Sequence, residues 1–484
     1  MKLKALLDAE MNAPAGCADA EIVGLTADSR AVQPGFLFAA LVGGRQDGTR
    51  FVPEALARGA AAVLLKAGSQ GPLPVPVVAA AEPRRALALM AARFYGRQPA
   101  VVVAVTGTSG KTSVADFARQ IFAALGHQAA SLGTIGLVRA DGVVYGGLTT
   151  PDPVALHRSL AELAVAGTTR LALEASSHGL DQYRLDGVAL AAAAFSNLSH
   201  DHLDYHAGMP EYLAAKLRLF THVLPAGCVA VINADAAHAD TVIAAAKDAG
   251  RVVATVGRKG QTLRLQSLAR DGFQQRLVLS HAGSMHEITL PLLGEYQAAN
   301  ALLAAGLALA VGEPAERVLP TLAGLRGVKG RLEVVGKVRG GLVVIDYAHK
   351  PDALAAALDA LRQALPGRVV CVFGCGGDRD RGKRPIMGRI AAEKANHVIV
   401  TDDNPRTERP ATIRAEILAA APGAREIPDR SEAIRAGVRL LGCGDVLLIA
   451  GKGHETGQIV GGEVLPFSDH DAVRLALAEP PINV

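Results

Sequence analysis

Apolar runs of strand length alternate with helix-like stretches in the first 98 residues. The strand-like runs are Glu21–Leu25, Gly35–Leu41, Ala61–Leu65 and Val75–Val78. Helical periodicity marks Pro53–Gly59 and Arg84–Tyr95, and Gly/Pro turns separate the segments. This alternation predicts a small α/β unit over residues 1–98.

A second α/β unit is predicted over residues 99–329. It opens with Val101–Thr106, a β-branched run typical of a strand buried in a parallel sheet, and a glycine loop then leads to an amphipathic helix over Lys111–Leu125. Further strand-like runs are Leu171–Glu174, Ala192–Phe195, Val229–Asn233 and Val252–Val256. Residues 262–293 alternate polar and apolar positions instead, which predicts an antiparallel insertion or edge.

A third alternating series begins after Gly330. Its strand-like runs are Leu342–Tyr347, Arg368–Phe373, His397–Thr401 and Val446–Ala450. They predict a second doubly wound sheet over residues 330–484. The predicted fold class is α/β in three domains: a small N-terminal α/β unit, a central P-loop-type doubly wound sheet and a C-terminal Rossmann-like sheet. The length of 484 residues agrees, since domains average about 150 residues.

Composition argues against several classes of protein. The 50 basic and 46 acidic residues leave a net charge of +4, and the absence of Trp removes the usual stacking platforms, so we expect no nucleic-acid partner. The five cysteines lack C-x-x-C spacing, which argues against a disulfide framework or a zinc site. Asp8 and Glu10 interrupt the apolar N-terminus, and no apolar stretch reaches the length of about 18 residues that spans a bilayer. We expect a cytoplasmic protein with no membrane partner.

The glycine loop after the first central strand predicts a nucleotide-phosphate site. Backbone N–H groups at the start of the following helix cradle phosphate in this context. The Lys111 ammonium would reach the terminal phosphates, and the Thr112 hydroxyl would bind Mg²⁺. The loop departs from the strict G-x-x-x-x-G-K-[ST] signature because position 105 is Val. The candidate ATP-binding residues here are Gly107, Thr108, Ser109, Gly110, Lys111, Thr112 and Ser113.

Two polar segments follow at predicted carboxyl ends of strands. Glu174 ends one strand, and its carboxylate is the kind of oxygen ligand that a hard cation prefers. Asn197–His206 contains three histidines and two aspartates, which fits either a metal-binding segment or a polar surface loop. Lys216 lies in a predicted helix over Met209–Phe220, and its position alone predicts a solvated side chain.

The order of these motifs resembles the Mur ligases, the ATP-dependent amide-bond-forming enzymes of bacterial cell-wall precursor synthesis. The resemblance runs from Asp28 to about Asp469. It rests on Thr106–Ser113, Thr149–Pro151, Glu174–Leu180, Asn197–His206, Tyr212–Phe220, Gly294–Asn300, Gly330–Glu333 and Asp346–His349. In that family the three domains bind, in order, a UDP-sugar, ATP and an amino acid.

The resemblance implies roles for residues that the pattern alone leaves open. It implies that Lys216 carries a CO₂-derived carbamate (N6-carboxylysine), and that this group binds Mg²⁺ together with Thr112, Glu174 and His202. It places Asn300, Arg331 and Asp346 around the nucleotide. The residues to which it gives catalytic roles are Lys111, Lys216 and His202.

Within the family, the resemblance is to the branch that adds the third residue of the stem peptide. Residues implied to hold the UDP-sugar dipeptide are Ala27, Ser29, Thr149, Thr150, Ser176, Gln182 and Arg184. Residues implied to hold meso-diaminopimelate are Arg379, Asp403, Asn404, Pro405, Arg406, Gly451 and Glu455. A guanidinium suits the distal carboxylate, and the Glu455 carboxylate suits the distal ammonium.

The resemblance implies a two-step reaction. ATP would phosphorylate the D-glutamyl carboxylate of UDP-N-acetylmuramoyl-L-alanyl-D-glutamate, and the amine of meso-diaminopimelate would attack the acyl phosphate. The alternatives are an L-lysine-adding member of the family, a folylpolyglutamate synthase, or a P-loop regulatory ATPase that hydrolyses ATP without an amino acid. We expect a monomer.

Overall fold

The described residues form three large β-sheets, each with helices packed against it, and one two-stranded hairpin. The computed structural model describes residues 1–9, 11–12, 19–43, 47–69, 73–144, 147–201, 205–272 and 274–479. The mixed α/β fold with three successive sheets confirms the predicted fold class. No helix within those ranges is long and apolar enough to cross a membrane.

The N-terminal sheet has five strands in the order β1-β5-β4-β3-β2. The strands are β1 (Met11–Asn12), β2 (Gly24–Thr26), β3 (Phe36–Ala39), β4 (Ala62–Lys66) and β5 (Val77–Ala80). The helices are α1 (Val52–Ala57) and α2 (Pro83–Tyr95), with 3₁₀ turns at Leu3–Ala5, Ser29–Ala31 and Gly48–Phe51. Strands β2 to β5 are parallel, and β1, which the sequence pattern missed, pairs antiparallel with β5.

The central sheet has eleven strands in the order β16-β15-β14-β13-β12-β11-β6-β10-β7-β8-β9. The strands are β6 (Val101–Thr106), β7 (Ala129–Gly133), β8 (Gly136–Arg139), β9 (Gly142–Val144), β10 (Arg170–Glu174), β11 (Leu190–Phe195), β12 (Val229–Asn233), β13 (Val252–Gly257), β14 (Leu263–Asp271), β15 (Gln274–His281) and β16 (Ser284–Leu290). Its middle is parallel, and β14 to β16 form the antiparallel edge expected over residues 262–293.

Helices cover both faces of the central sheet. They are α3 (Lys111–Ala124), α4 (Pro153–Val165), α5 (Ser177–Asp181), α6 (Met209–Arg218), α7 (Ala239–Asp248), α8 (Glu295–Ala310) and α9 (Ala315–Thr321), with a π turn at Leu219–Val223 and a 3₁₀ turn at Leu322–Gly324. Helices α3 and α8 share one core with the sheet, in which Phe117 and Leu302 are buried. Helices α4 and α6 share the other core, which includes Leu160 and Tyr212.

The C-terminal sheet has six strands in the order β17-β18-β22-β19-β20-β21. The strands are β17 (Glu333–Val338), β18 (Gly341–Asp346), β19 (Val369–Phe373), β20 (His397–Val400), β21 (Arg425–Glu426) and β22 (Val446–Ala450), and a separate hairpin pairs β23 (Gly457–Val460) with β24 (Glu463–Pro466). The helices are α10 (Pro351–Ala364), α11 (Lys383–Lys394), α12 (Pro410–Leu418), α13 (Arg430–Arg439) and α14 (Asp469–Ala478). Because β18, β22, β19 and β20 are mutually parallel, the loops that follow them meet at one edge of the sheet.

Candidate active site

The phosphate loop lies between β6 and α3, where the sequence predicts it. Gly107 and Gly110 have positive φ angles, 150° and 86°. A Cβ atom at Gly107 would lie 1.9 Å from Ser196 Oγ, and one at Gly110 would lie 2.4 Å from Asn300 Oδ1. Both positions therefore need glycine for space as well as for conformation. The result is a tight backbone loop at the N-terminus of a helix, which suits phosphate.

The Lys111 side chain folds over its own loop. Its Nζ atom donates to the carbonyl oxygens of Gly107 at 2.9 Å and Thr108 at 3.1 Å. Burial lowers the pKa of Lys111 to about 8, and the positive charge of Lys350 adds to that effect. The ammonium is therefore held over the loop that the sequence assigns to phosphate.

Glu174 lies in a network of hydroxyl groups at the end of β10. Its carboxylate accepts hydrogen bonds from the Thr134 backbone N–H at 2.7 Å and from Thr134 Oγ1 at 3.1 Å. Thr134 Oγ1 also lies 3.0 Å from Thr149 Oγ1, and Thr150 Oγ1 donates to the Glu174 carbonyl at 2.8 Å. The predicted metal-binding carboxylate and two predicted dipeptide-binding hydroxyls therefore share one cluster.

Lys216 is buried, with 1% of its surface exposed, so the solvated side chain predicted from its helical position alone is wrong. Its Nζ atom donates to the Gly107 carbonyl at 2.7 Å and lies 4.3 Å from the centre of the Tyr212 ring. Burial holds the pKa of Lys216 well below its usual value, and the charges of Lys111 and Lys350 lower it further. The amine therefore lies directly beneath the phosphate loop, and these effects favour its neutral form.

The described residues supply part of the donor set expected for Mg²⁺. Glu174 and Thr112 bring a buried carboxylate and a hydroxyl, both hard oxygen donors that fit this ion. Among the described residues, His, Cys, Asp and Glu side chains form no cluster of three that could hold a metal. His202, the further predicted ligand, lies outside the described residues.

The residues expected around the nucleotide come from two units. Asn300 lies in α8 beside Gly110, and its Nδ2 atom donates to Gln297 Oε1 at 2.9 Å. Arg331 Nη2 donates to Thr112 Oγ1 at 3.2 Å, which connects the C-terminal unit to the phosphate loop. Asp346 accepts backbone N–H bonds from Leu332 and Ala348, and burial raises its pKa to about 6.

The residues expected to hold the dipeptide divide between two places. Arg184 donates to the Thr150 carbonyl and to Gln182 Oε1, both at 2.7 Å, and Ser176 Oγ donates to Thr150 Oγ1 at 3.0 Å. These residues form one group with Thr149. Ser29 Oγ instead donates to Glu54 Oε2 at 2.7 Å in the N-terminal unit, and Ala27 is exposed near it in the chain.

The residues expected to hold the amino acid meet at the carboxyl edge of the C-terminal sheet. Arg406 has a positive φ angle of 52°, and its Nη1 atom donates to the Gly377 carbonyl at 2.7 Å. Asn404 Nδ2 donates to Glu455 Oε2 at 2.9 Å. Asp403 and Pro405 are buried beside them, Gly451 lies against Asp403, and Arg379 is exposed on the turn after β19.

Hairpin β23–β24 fixes the backbone of the Asp403–Arg406 segment. Arg406 N–H donates to the Ile459 carbonyl at 3.0 Å, and the Arg406 carbonyl accepts from Gly461 N–H at 2.7 Å. Gln458 Nε2 donates to the Asp403 carbonyl at 2.7 Å. The hairpin therefore fixes Arg406 in its left-handed backbone conformation through both its N–H and its carbonyl group. The sequence pattern did not assign this hairpin to the site.

Two lysines of the site are missing from the sequence-based set. Lys350, at the start of α10, forms an ion pair with Asp201, which follows β11 of the central sheet. Lys452 is buried between Asn404 and Glu455. Lys350 directly follows the Asp346–His349 motif, and Lys452 lies between Gly451 and Glu455. Asp201 and Asn404 are distant from these lysines in the chain, so local spacing gives no sign of those two contacts.

Three family models match the chain in succession. The Mur ligase family catalytic domain matches residues 21–95, the Mur ligase middle domain matches residues 105–308, and the Mur ligase glutamate ligase domain matches residues 330–453. The second match includes the phosphate loop, Glu174 and Lys216. The third includes Arg379, Asp403–Arg406 and Gly451 at the edge of the C-terminal sheet and ends two residues before Glu455.

Full-length relatives carry one name. The chain is 57% identical over 482 residues to a Bradyrhizobium diazoefficiens protein named UDP-N-acetylmuramoyl-L-alanyl-D-glutamate--2,6-diaminopimelate ligase, with 99% of each chain covered. It is 54% identical over 479 residues to an Agrobacterium fabrum protein of the same name, covering 99% of this chain and 96% of the other. A solved structure of a ligase of that name is 34% identical with a TM-score of 0.71, covering 99% of this chain and 98% of the other.

Proposed function

Because this chain belongs to the Mur ligase family, we propose that it joins meso-diaminopimelate to UDP-N-acetylmuramoyl-L-alanyl-D-glutamate at the expense of ATP. This reaction builds a precursor of peptidoglycan. The observation that carries the proposal is the Arg331–Thr112 hydrogen bond, which connects the phosphate loop with the unit that holds the amino-acid subsite. A ligase needs the phosphate loop and the amino-acid subsite in one cleft, because the acyl phosphate must react with the amine before water hydrolyses it.

The first step transfers a phosphoryl group. An oxygen of the D-glutamyl carboxylate bonds to the γ-phosphorus of ATP, the bond from that phosphorus to the bridging oxygen breaks, and ADP leaves. Two anions must approach each other, so cations have to neutralise them. Lys111 is the cation of the phosphate loop, and we propose that its ammonium moves from the Gly107 and Thr108 carbonyls to the phosphates when ATP binds.

The second step forms the amide. The diaminopimelate amine bonds to the acyl carbon, the carbon–oxygen bond to phosphate breaks, and the amine loses a proton. We propose that Arg406 holds the distal carboxylate and Glu455 the distal ammonium, with Arg379 and Asn404 beside them. Arg184 and the hydroxyls of Thr149, Thr150 and Ser176 would hold the glutamyl end, while Ala27 and Ser29 would hold the uridine diphosphate end. Holding both reactants in place supplies much of the rate.

We propose that Thr112, Glu174, His202 and a carbamate on Lys216 hold Mg²⁺, which when bound neutralises phosphate charge. The Lys216 amine adds to CO₂ and releases one proton, giving a carbamate anion. A neutral amine is required for that addition, and burial favours the neutral form. The charges of Lys111 and Lys350 favour an anion at this position. These features support the modification.

We further propose that residues 1–98, 99–329 and 330–484 are separate domains for the UDP-sugar, ATP and the amino acid. The residue ranges follow the three sheets. ATP and nucleotide sugars are cytoplasmic metabolites, so we place the enzyme in the cytoplasm, where it would act as a monomer.

Phosphate release measured with the nucleotide dipeptide tests the function. With meso-diaminopimelate we expect turnover, and with L-lysine a kcat/KM at least about 100-fold lower, because a site built to pair a carboxylate discriminates strongly against a ligand that lacks it. Equal rates with the two amino acids would refute the substrate assignment. Phosphate release without any amino acid would favour a regulatory ATPase.

A further inference from the structure

Lys452 is a fully buried cation within the amino-acid subsite. None of its surface is exposed. Its Nζ atom donates to Asn404 Oδ1 at 3.0 Å and to Glu455 Oε2 at 3.1 Å. A buried ammonium is stable only where its partners replace the lost water, and here both partners are residues assigned to the incoming amino acid. The subsite therefore contains a fixed positive charge of its own.

The backbone on either side of Lys452 directs its side chain inward. Gly451 and Gly453 have φ angles of 115° and 54°. A Cβ atom at Gly451 would lie 2.5 Å from Asp403 Oδ2, and one at Gly453 would lie 2.8 Å from Tyr347 Cβ. Neither position can take a larger residue without movement, so this backbone conformation depends on glycine on both sides of Lys452.

The Glu455 carboxylate can accept a hydrogen bond from one more cation, but Lys452 already neutralises part of its negative charge. Its Oε2 atom accepts from Asn404 Nδ2 at 2.9 Å and from Lys452, and its Oε1 atom accepts from the Tyr347 hydroxyl at 3.4 Å. About 30% of the Glu455 side chain is exposed. A carboxylate accepts about four hydrogen bonds, so an arriving ammonium can still bind. It would then lie close to the ammonium of Lys452.

We propose that Lys452 is a specificity-determining residue, selecting an amino acid whose distal end is zwitterionic and rejecting one whose distal end is only cationic. The inference rests on the proposed function. The distal carboxylate of diaminopimelate offsets the charges of Lys452 and Arg406, while its ammonium meets Glu455. L-lysine brings an ammonium without a carboxylate, so nothing in this ligand offsets the charges of Lys452 and Arg406, and Glu455 is already paired with Lys452. Repulsion between Lys452 and the L-lysine ammonium thus adds to the selectivity that Arg406 provides by binding the distal carboxylate.

The first test removes the charge and keeps the shape. Lys452→Met replaces the lysine with a neutral unbranched side chain. Lys452→Gln is also neutral and unbranched but retains a hydrogen-bond donor. We expect the ratio of kcat/KM for meso-diaminopimelate to that for L-lysine to fall at least 30-fold in both variants, with the KM values for ATP and the nucleotide dipeptide unchanged. Lys452→Arg should keep most of the selectivity. Lys394→Met, which removes an ion pair with Asp359 in α10, is the matched control.

A purely structural role for Lys452 predicts a different result. Both amino acids would then lose kcat/KM by the same factor and the ratio would not change, which would overturn the inference. If the wild-type enzyme fails to use meso-diaminopimelate at all, the proposed function is wrong. If it uses diaminopimelate and the ratio is unchanged in the variants, only the role of Lys452 is wrong.

The second test uses the wild-type enzyme and so does not depend on the folding of a variant. L-norleucine and L-lysine differ only in the terminal ammonium, and both can be assayed as competitive inhibitors against meso-diaminopimelate. We expect L-norleucine to inhibit at least as strongly as L-lysine, since the distal end of the subsite repels an uncompensated cation. Tenfold stronger inhibition by L-lysine would show a net attractive site and would overturn the inference.

Discussion

The phosphate loop and the amino-acid subsite are built in opposite ways. The phosphate loop is a local backbone structure, in which Gly107 and Gly110 create the space and carbonyl oxygens hold the lysines. The amino-acid subsite is made of side chains that follow four different strands, among them Tyr347, Asn404 and Lys452. Phosphate is one chemical group common to many ligands, whereas the amino acid must be told apart from close analogues. The comparison shows why a short motif suffices for the first site and not for the second.

The largest effect is expected beneath the phosphate loop. Lys216→Ala removes the amine beneath the phosphate loop and, with it, the proposed carbamate. We expect kcat to fall at least about 1000-fold, since removal of a group that stabilises transition-state charge has effects of this order. The measurement is steady-state phosphate release with all three substrates.

Chemical rescue distinguishes loss of the anion from loss of structure. A small carboxylate such as acetate should restore part of the activity of Lys216→Ala and leave Lys247→Ala, a change on the exposed face of α7, unaffected. Full activity of Lys216→Ala without rescue would contradict the carbamate.

A glycine replacement tests whether the phosphate loop depends on its backbone. In Gly110→Ala the new Cβ would meet Asn300 Oδ1, and we expect ATP affinity to fall about 100-fold in equilibrium titration. Gly126→Ala is a matched control, because Gly126 also has a positive φ angle, 94°, but nothing lies within 4 Å of its Cβ position. Equal loss in both variants would assign the effect to backbone strain instead of to space.

A conservative replacement tests whether the amino-acid subsite depends on side-chain shape. Arg406→Lys keeps the charge but loses the planar guanidinium, so we expect the KM for meso-diaminopimelate to rise about 10- to 100-fold. The KM for ATP should not change, because Arg406 is not among the residues proposed to hold the nucleotide. Arg409→Lys, at an exposed position before α12, serves as the control. Unchanged kinetics of Arg406→Lys would place the distal carboxylate elsewhere.

The smallest effect is expected at the opposite edge of the C-terminal sheet. Hydrogen bonds from the Arg368 guanidinium lower the pKa of Asp445 to about 2, and backbone N–H groups of Arg368 and Gly442 contribute. A carboxylate with a lowered pKa in the folded state stabilises the fold above about pH 4, and this contribution is lost as the pH falls towards 2. Asp445→Asn should therefore cost about 1 kcal/mol at pH 7.

Thermal unfolding of Asp445→Asn as a function of pH checks this prediction. The difference in Tm from the wild type should shrink as the pH is lowered, while kcat and every KM stay unchanged. A change in the KM for diaminopimelate would contradict the prediction that the Asp445–Arg368 pair affects stability without affecting the amino-acid subsite at the other edge of the sheet.

The sequence predicts the parts of the molecule whose signals are local. The β-branched run before Gly107 marks the first central strand, and the alternation over residues 262–293 marks the antiparallel edge. Strand β7 has the sequence AASLG, which lacks β-branched residues, and the pattern misses it. Small residues suit it because it packs between β10 and β8, where neighbours, not propensity, decide the conformation.

Burial and long-range contacts explain the features of the site that the sequence pattern does not predict. A lysine in a helix is normally solvated, and only the fold reveals that Lys216 lies under Gly107, 109 residues away in the chain. Asn404 and Lys452 are 48 residues apart and meet because β20 and β22 end at the same edge. The family resemblance supplies roles for Lys216 and Asn404 but none for Lys452.

The position of the amino-acid subsite beyond the strand ends has an evolutionary consequence. The buried residues of β18, β19 and β22 hold the sheet together, while Asn404, Arg406 and Lys452 lie in loops after the strands. If these loops hold the amino acid as proposed, mutations in them would alter which amino acid is joined while the packed interior stays intact. A lineage could therefore change the cross-linking chemistry of its wall through a few loop substitutions, without first evolving a new fold.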